Sequence, residues 1–438
     1  MSHVLKQTAV AGQQRNLLLL NQYLQQLPFT ENVTNAVQDI DFDRILALAV
    51  EALETGDFHQ RWDVAKVFAQ LGSGAIAPLI DILADEEEDR ELRWFAARIL
   101  GDFQHPDAIA ALIDVLKTSD HEDLMAMASA ALARLGVPAI AALTDLLVAE
   151  DTREMAVRSL AHIRRTETIA PLLSVVNDPQ VSIRATAIEA LASFHDCRIP
   201  PVLIDALKDI APLVRREAAI GLSLRTDLQE ELDLVNQLKP LLWDFKLDVC
   251  LAAAIALGRM GTGNAADALF QVLQSPNTPL PLQLESVRSL SWNETPQAIA
   301  YLQQALISRT EINTGEFPLP TTDLVCQEIM AVLGRVEQPD LVPIAAQILI
   351  DAFHSNHPAM QHASIKQSLA ISLGQLADPI AIEALIEMLA PDEGIRWHAI
   401  AALKKFPTAP QQLAQRLTDR NLTPAIQQGI AIALENLT

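Results

Sequence analysis

The sequence predicts an all-α fold, an α-solenoid in which two-helix repeats stack along one array. Three observations predict it. A phrase of roughly 30 residues recurs from about Phe42 to the C-terminus, its apolar residues follow a helical period, and no alternating apolar runs bounded by hairpin turns interrupt it. Each repeat of this kind buries its apolar face only against its neighbours. We expect about eleven or twelve repeats, wound into a right-handed superhelix with a concave face.

The first helix of each repeat carries a continuous apolar stripe. Ile or Ala, then Leu, then Leu or Val follow at three- and four-residue steps, which places them on one side of a helix. The examples are GAIAPLIDILAD from Gly74, PDAIAALIDVLKTSD from Pro106, VPAIAALTDLLVAED from Val137, TETIAPLLSVVNDP from Thr166, NAADALFQVLQS from Asn264 and DPIAIEALIEML from Asp378.

The second helices are equally alike and rich in small residues. Pairs such as Ala218 and Ala219 keep small side chains where two helix backbones approach. Glycines follow near the ends of these helices, and we expect them to close the helices in the left-handed conformation. The second helices include LRWFAARILGDF from Leu92, LMAMASAALARLG from Leu124, VSIRATAIEALASF from Val181, VRREAAIGL from Val214 and VCLAAAIALGRMG from Val249. The glycines are Gly72, Gly101, Gly136, Gly258, Gly334 and Gly374.

Domain organisation follows from where this pattern breaks. Residues 1–40 are rich in Gln and Asn and are interpreted as an N-terminal cap over the first repeat. Residues 41–438 form one continuous solenoid, because no Gly/Ser/Pro linker divides them. Residues 308–322 are an irregular insertion. It is either a tolerated insertion or a loop in which Phe317, directly before Pro318, contacts a ligand.

The charge balance restricts the partners. The chain has 55 Asp and Glu against 32 Lys and Arg, a formal net charge of −23. This field repels a phosphate backbone, so nucleic-acid binding is disfavoured. The densest acidic run, ADEEEDRE from Ala84, is either a solvated loop or a docking site for a basic partner.

Cysteine usage and the N-terminus predict the compartment. Cys197, Cys250 and Cys326 lie far apart without CxxC spacing, which is typical of a reducing compartment. No basic segment followed by a long apolar run occurs at the N-terminus, so neither a signal peptide nor a membrane span is predicted. We expect a cytoplasmic protein.

Catalytic motifs are hard to find. The sequence has no phosphate-binding loop, dinucleotide fingerprint, GxSxG elbow or HExxH. The deoxyhypusine hydroxylases resemble this scaffold and bind two irons through several His-Glu pairs, but this chain has the single pair His121-Glu122. His354, His357 and His362 cluster near a helix start, yet carboxylates are sparse around them. No metal and no cofactor are predicted.

An arginine recurs near the start of the second helices, in several cases beside a tryptophan. One interpretation is structural: the arginine pairs with an acid of the preceding repeat, and tryptophan fills the seam between repeats. The other is functional: these side chains line the concave face as a ladder suited to a planar, anionic or extended partner. The candidates are Arg61, Trp62, Arg93, Trp94, Arg158, Arg184, Arg215, Arg288 and the pair Arg396-Trp397.

Two of these phrases carry a family resemblance. RWFAARILG, from Arg93 to Gly101, and VRREAAIGL, from Val214 to Leu222, resemble the HEAT-like repeat of the phycobilin lyase family of cyanobacteria and red algae. Members of that family act as bilin lyases or in the assembly or breakdown of phycobilisomes. The resemblance extends from about Phe42 over nearly the whole chain, and it implies a HEAT-repeat fold.

The resemblance also implies roles for particular residues if the protein is a lyase. The ligand would then be a bilin, an open-chain tetrapyrrole, attached to a phycobiliprotein cysteine with help from an acid. Propionates would be held by Arg158, Arg184 and Arg215, pyrrole rings would lie against Trp243 or Trp292, and Glu217 or Asp248 would supply the proton.

The competing interpretation is a protein-binding scaffold or assembly chaperone without catalysis. Its partner, phycobiliprotein subunits in the setting of the resemblance, would lie on the concave face. A long repeat array without an identifiable nucleophile or cofactor loop is what such a platform requires. The sequence favours this interpretation, and the phycobilin lyase is the alternative.

Overall fold

A computed structural model shows helices joined by short turns, and it contains no strand in the part of the chain that it describes. The fold divides into two compact units, Met1–Ile199 and Pro200–Thr438. The described residues are 39–293, 295–312, 321–355, 358–390, 392–419 and 422–437.

The first unit is built from two layers of helices. From α2 onward the even-numbered helices contact one another in series, and α3, α5 and α7 do the same beside them. The helices are α1 (Asp39–Thr55), α2 (Phe58–Leu71), α3 (Ile76–Ala84), α4 (Arg90–Leu100), α5 (Pro106–Thr118), α6 (Glu122–Leu135), α7 (Val137–Asp145), α8 (Glu150–Ile163), α9 (Ile169–Leu173) and α10 (Val181–Ala192).

The second unit repeats the arrangement. Its even-numbered helices again contact one another in series, while α15 contacts α17 and α19 contacts α21. The helices are α11 (Ile199–Ala206), α12 (Pro212–Ser223), α13 (Leu234–Leu238), α14 (Leu247–Met260), α15 (Gly263–Gln274), α16 (Leu280–Ser291), α17 (Pro296–Ile312), α18 (Thr321–Leu333), α19 (Val342–His354), α20 (Ala363–Leu376), α21 (Ala381–Glu387), α22 (Glu393–Leu403), α23 (Ala409–Arg416) and α24 (Pro424–Leu437).

The core lies between the layers and consists of the predicted stripes. Leu79 and Leu112, from first helices, are fully buried, and so are Ala218, Ala219 and Ala253 from second helices. Full burial of one leucine side chain contributes about 1.5–3 kcal/mol to the stability of the fold. Because alanine adds almost no thickness, neighbouring second helices pack closely.

The glycines near the second-helix ends serve two different purposes. Gly72 and Gly136 have the positive φ angles that favour glycine, 68° and 72°, but their ψ angles of −160° and −132° lie outside the left-handed helical region. The left-handed prediction is wrong for the others as well, since no positive φ is found at them. They lie where the next second helix crosses, and an added Cβ would approach that helix within 2.7 Å or less: Gly101 against Ala131, Gly258 against Ser289, Gly334 against Ser372 and Gly374 against Ala402.

Ala377 occupies a left-handed position that suits glycine. It is the C-cap of α20 with φ 51° and ψ 27°, a conformation that costs a residue with a Cβ about 1–2 kcal/mol. We expect Ala377→Gly to raise the free energy of unfolding by about 1 kcal/mol, because the relief of strain exceeds the entropy that glycine adds to the unfolded chain. Urea denaturation measures the free energy of unfolding.

The mirror-image change is the control for that prediction. Gly261 has φ 65° and ψ 23°, and its added Cβ would meet only Asn293 Oδ1 at 3.7 Å. Gly261→Ala should therefore lower stability by about 1 kcal/mol through backbone strain alone. Destabilisation by Ala377→Gly would contradict this account of the turn.

Three expectations about segments have different outcomes. The predicted cap falls largely on residues 1–38, which lie outside the described residues, and α1 begins at Asp39. In the insertion, α17 continues to Ile312 and α18 begins at Thr321, while 313–320, including Phe317, lie outside the described residues. The single continuous solenoid and its handedness stay predictions.

One helical stretch, Phe58–Ala84, is long and apolar enough to cross a membrane by length and composition. It spans α2, a 3₁₀ turn and α3, and Val64, Phe68 and Leu79 within it are fully buried in the core. Its apolar character is therefore explained by packing against the neighbouring helices.

Candidate functional site

Arg215 shows what the recurring arginine does. Its Nη1 donates to the carbonyl oxygens of Asp209, at 2.7 Å, and Ile210, at 3.1 Å, in the turn before α12. Its Nε and Nη2 donate to the two carboxylate oxygens of Asp244, both at 2.8 Å. Asp244 precedes α14, so this buried guanidinium joins one repeat to the next.

Arg61 and Arg153 make the same connection in the first unit. Arg61 donates to the carbonyl oxygens of Leu53 and Glu54 at the end of α1, and its Nη1 reaches Asp89 at 2.7 Å. Arg153 donates to the carbonyl oxygen of Leu147 at 2.7 Å, and its Nη1 pairs with Asp178 at 2.8 Å. These carbonyls end a first helix and lack helical partners.

Three further arginines share the carbonyl contact. Arg93 donates to Leu83 O at 3.0 Å, Arg184 to Asp178 O at 2.8 Å, and Arg396 to Leu389 O at 2.8 Å. The structural interpretation is therefore correct that arginines of this series pair with acids of a neighbouring repeat, but wrong about which neighbour. The paired acids, such as Asp89 for Arg61, belong to the following repeat rather than to the preceding one.

The ion pairs alter the acids that they hold. The hydrogen bond from Arg61 lowers the pKa of Asp89. Burial pushes the pKa of Asp244 up, but hydrogen bonds from Arg215 and from the Lys246 N–H outweigh it, so this pKa is lowered as well. Both acids are therefore anionic at neutral pH and offset the charge of their arginines.

Arg158 and Arg288 lie outside this series. Arg158 is 65% exposed and pairs with Glu154 on its own helix at 2.8 Å. Arg288 pairs with Glu328 at 2.8 Å and lies 3.7 Å from Glu285. Arg158 stands five residues after the junction arginine Arg153, on another side of α8, whereas Arg288 reaches Glu328 on α18, the next second helix.

The other proposed lyase residues are distributed over α12, α14, the turn before α14 and the end of α16. Glu217 is buried and accepts from its neighbour Arg216. Asp248 is exposed in the first turn of α14. Trp243 and Trp292 are about half exposed, on the turn before α14 and at the end of α16.

Sequence reasoning overlooked Arg153, although a signal for it existed. Arg93, Arg184, Arg215 and Arg396 each stand three residues before a fully buried alanine, and Arg153 does so too, before Ala156. At these five positions Arg-x-x-Ala with a fully buried alanine therefore marks the junction arginine. Arg61 instead precedes the buried Val64, and the alanine after Arg158, Ala161, is only partly buried. The signal depends on burial and emerges only when the repeats are aligned on their alanines.

Trp62 and Trp94 occupy equivalent positions on α2 and α4. Trp62 stacks on Phe58 with ring centroids 6.1 Å apart, and the Arg98 guanidinium lies 4.2 Å above its ring. Phe95, fully buried, meets both tryptophans edge-on. Cation–π pairs of this kind contribute about 0.5–1 kcal/mol at exposed sites.

A groove of about 760 Å³ opens beside Trp94, between the starts of α4 and α6. Leu124, Ala126 and Met127 from α6 supply further apolar surface. Its rim is formed by Asp89, Arg90, Glu91 and Asp123. Arg61 holds two of these acids, since its Nη1 lies 2.7 Å from Asp89 and 3.0 Å from Glu91. We refer to these eight lining residues as the α4–α6 groove.

The histidines form separate pairs. His354 contacts Glu387 at 3.1 Å and His362 contacts Asp323 at 3.0 Å, while His357 lies outside the described residues. Over the described ranges, no three His, Cys, Asp or Glu side chains are grouped to hold a metal ion. The donor set described does not fit a two-iron centre.

The repeats match known family models. Models of HEAT repeats match residues 76–152 and 149–223, and the model of the PBS lyase HEAT-like repeat matches residues 365–390. The chain therefore contains HEAT repeats, and its α-solenoid resembles the phycobilin lyase repeat family. The phrases Arg93–Gly101 and Val214–Leu222 fall within the general HEAT match.

Several known proteins are similar to this chain. Deoxyhypusine hydroxylase-B of Oryza sativa subsp. japonica is 26% identical over 258 residues, covering 55% of this chain and 81% of that protein. A crystal structure of importin beta has a TM-score of 0.52 at 13% identity, covering 99% of this chain and 70% of that one. A structure of a Kap95:Nup1 complex has a TM-score of 0.54 at 13% identity, covering 98% of this chain and 66% of that one. At these identities the two structures show the fold alone.

Proposed function

We propose that this protein is a cytoplasmic HEAT-repeat scaffold or assembly chaperone that binds a protein partner in phycobilisome or phycobiliprotein handling. The observation that carries the proposal is the contrast between the arginines and the groove. Arg61 and Arg215 are buried in repeat junctions, whereas the α4–α6 groove is open to solvent beside an acidic loop.

The phycobilisome setting is supported by residues 365–390, which match the PBS lyase HEAT-like repeat. Protein binding is supported by the architecture, because stacked repeats present extended surfaces suited to a protein chain. Importin beta and Kap95 of the Kap95:Nup1 complex have the same fold.

The geometry favours the scaffold over the lyase. A lyase that holds two propionates needs guanidinium groups facing a pocket, but Arg184 and Arg215 donate to carbonyls at their own repeat junctions. Arg158 faces solvent with Glu154. The net charge of −23 further opposes an anionic tetrapyrrole.

Affinity capture from a cyanobacterial lysate tests the proposal. The tagged full chain is immobilised, and the eluate is analysed by mass spectrometry and visible absorbance. We expect phycobiliprotein subunits or their assembly factors to elute, with no bilin absorbance on the tagged chain after denaturing chromatography. The control bait is an unrelated protein of equal size and negative charge, because non-specific capture follows charge.

Two outcomes would overturn the scaffold. Elution of nothing beyond what the control bait retains would remove the protein partner. A bilin band on the tagged chain, together with transfer of that bilin to a phycobiliprotein cysteine, would establish the lyase instead.

A further inference from the structure

We propose that the α4–α6 groove docks a cationic protein segment, whose Lys or Arg side chains meet the acidic rim while an apolar side chain lies against Trp94. The proposal rests on the proposed scaffold function and names the chemistry of its partner.

The groove has the shape for a side-chain anchor. Trp94 is partly exposed on one wall, and Ala126 and Met127 form the opposite wall from the next second helix. Its volume of about 760 Å³ lies within the range of ligand pockets, about 300–1,000 Å³. Aromatic and methionine surfaces accept apolar side chains of varied shape.

The charge around the groove is strongly negative. Residues 85–91 carry six carboxylates and one arginine, and residues 120–123 carry three carboxylates. Asp85 to Glu88 are all exposed. The pKa of Glu54, at the end of α1, is raised by burial and by the nearby charges of Glu88 and Glu51. This crowding of anions disfavours an anionic ligand and favours a cationic one.

Part of the rim is fixed before any partner binds. Arg61 is buried and anchored to two carbonyls of α1, and it holds Asp89 and Glu91 through one nitrogen. A rim positioned in this way loses little side-chain entropy on binding. Arg61 therefore acts as a positioning residue for the groove.

Charge also decides between a partner and a second copy of this chain. With a net charge of −23, another copy would bring negative charge to a negative rim, which costs binding energy. The occupant that complements the groove is a Lys/Arg-rich segment of another protein.

Selection of random peptides from a phage-displayed library on the full chain tests the proposal. We expect enriched peptides to combine several Lys or Arg residues with one large apolar residue. Synthetic copies of the enriched peptides should bind with an affinity that falls as the salt concentration rises, since the rim charges are exposed. Fluorescence anisotropy of the labelled peptides measures this affinity.

Paired variants locate the binding. Glu87→Lys with Glu88→Lys, in the exposed acidic loop that adjoins the rim, should weaken binding of the peptides about tenfold or more by reversing the charge around the groove. Glu230→Lys with Glu231→Lys changes the net charge of the chain equally and should not weaken it. All four side chains are exposed. Trp94→Ala should weaken binding similarly.

The control for Trp94 is Trp397→Ala, since Trp397 follows Arg396 as Trp94 follows Arg93. Circular dichroism confirms that each variant is folded.

Several results would overturn the proposal. The selection could enrich no peptide, or peptides without positive charge. The control variants could lose as much peptide affinity as the groove variants. The chain could also associate with itself in a way that the Glu87→Lys and Glu88→Lys changes abolish. If lysate capture succeeds but is unaffected by the groove variants, this docking site is wrong while the scaffold function stands. If capture itself fails, the scaffold function is wrong.

Discussion

Arg215→Ala is expected to lower the free energy of unfolding of the second unit by about 3–5 kcal/mol, because breaking one side of a buried ion pair leaves an uncompensated charge. The side chains of Arg215 and Asp244 are only 9% and 10% exposed. The change also leaves the carbonyls of Asp209 and Ile210 without this donor. Urea denaturation followed by far-UV circular dichroism measures the effect.

Arg158→Ala is the matched control, because the lyase interpretation assigns both arginines to the same ligand. Arg158 is 65% exposed and pairs only along its own helix, an interaction of about 0.3–0.5 kcal/mol. Equal losses of stability in the two variants would contradict the junction role. The junction role would also be contradicted if the Arg215→Ala protein kept its stability and lost only the binding of a ligand.

A double-mutant cycle separates the ion pair from the packing around it. Asp244→Ala should also destabilise, and the double variant should lose much less than the sum of the single losses, because the two groups act together. Arg215→Lys should recover only part of the stability, since lysine keeps the charge but lacks the two-nitrogen fork that matches a carboxylate. Additive losses would show that side-chain volume matters more than pairing.

The fold was predictable because it depends on periodicity. Leu79, Leu112 and the paired alanines Ala218 and Ala219 are buried where the repeat phrase places them. In a solenoid each repeat packs only on its neighbours, so a local pattern contains most of the information about packing. The division into two compact units at Ile199 is not marked by a Gly/Ser/Pro linker in the sequence.

The candidate site was less predictable because its residue types serve structure and binding equally. The sequence shows that Arg61 and Arg215 recur at one position of the repeat. It does not show which acids they pair with, because those acids are far from them along the chain. Asp89 and Asp244 lie in loops about one repeat later in the chain. By contrast, the acidic run from Ala84 allows two interpretations, a solvated loop or a docking site for a basic partner, and the α4–α6 groove lies beside it.

Replacing Gly258 by valine is the second change from which we expect a large effect. A Cβ at Gly258 would lie 2.7 Å from Ser289 Cβ and 2.9 Å from Ser289 Cα, on the helix that crosses it. Because a backbone cannot move aside as a flexible side chain can, α14 and α16 would have to separate along their contact. Overpacking of this kind costs about 3 kcal/mol at the upper end of its usual range.

Gly263→Val is the control for this change. Gly263 begins α15, and its added Cβ would meet only the side chain of Gln297, with Oε1 at 2.8 Å. That flexible side chain can rotate away, so we expect a change of about 0.5 kcal/mol or less, as for most surface substitutions. Thermal and urea unfolding of both variants provide the comparison. If Gly258→Val were as stable as Gly263→Val, the close crossing of second helices would not be what glycine is needed for, and the distances at Gly101, Gly334 and Gly374 would lose the same explanation.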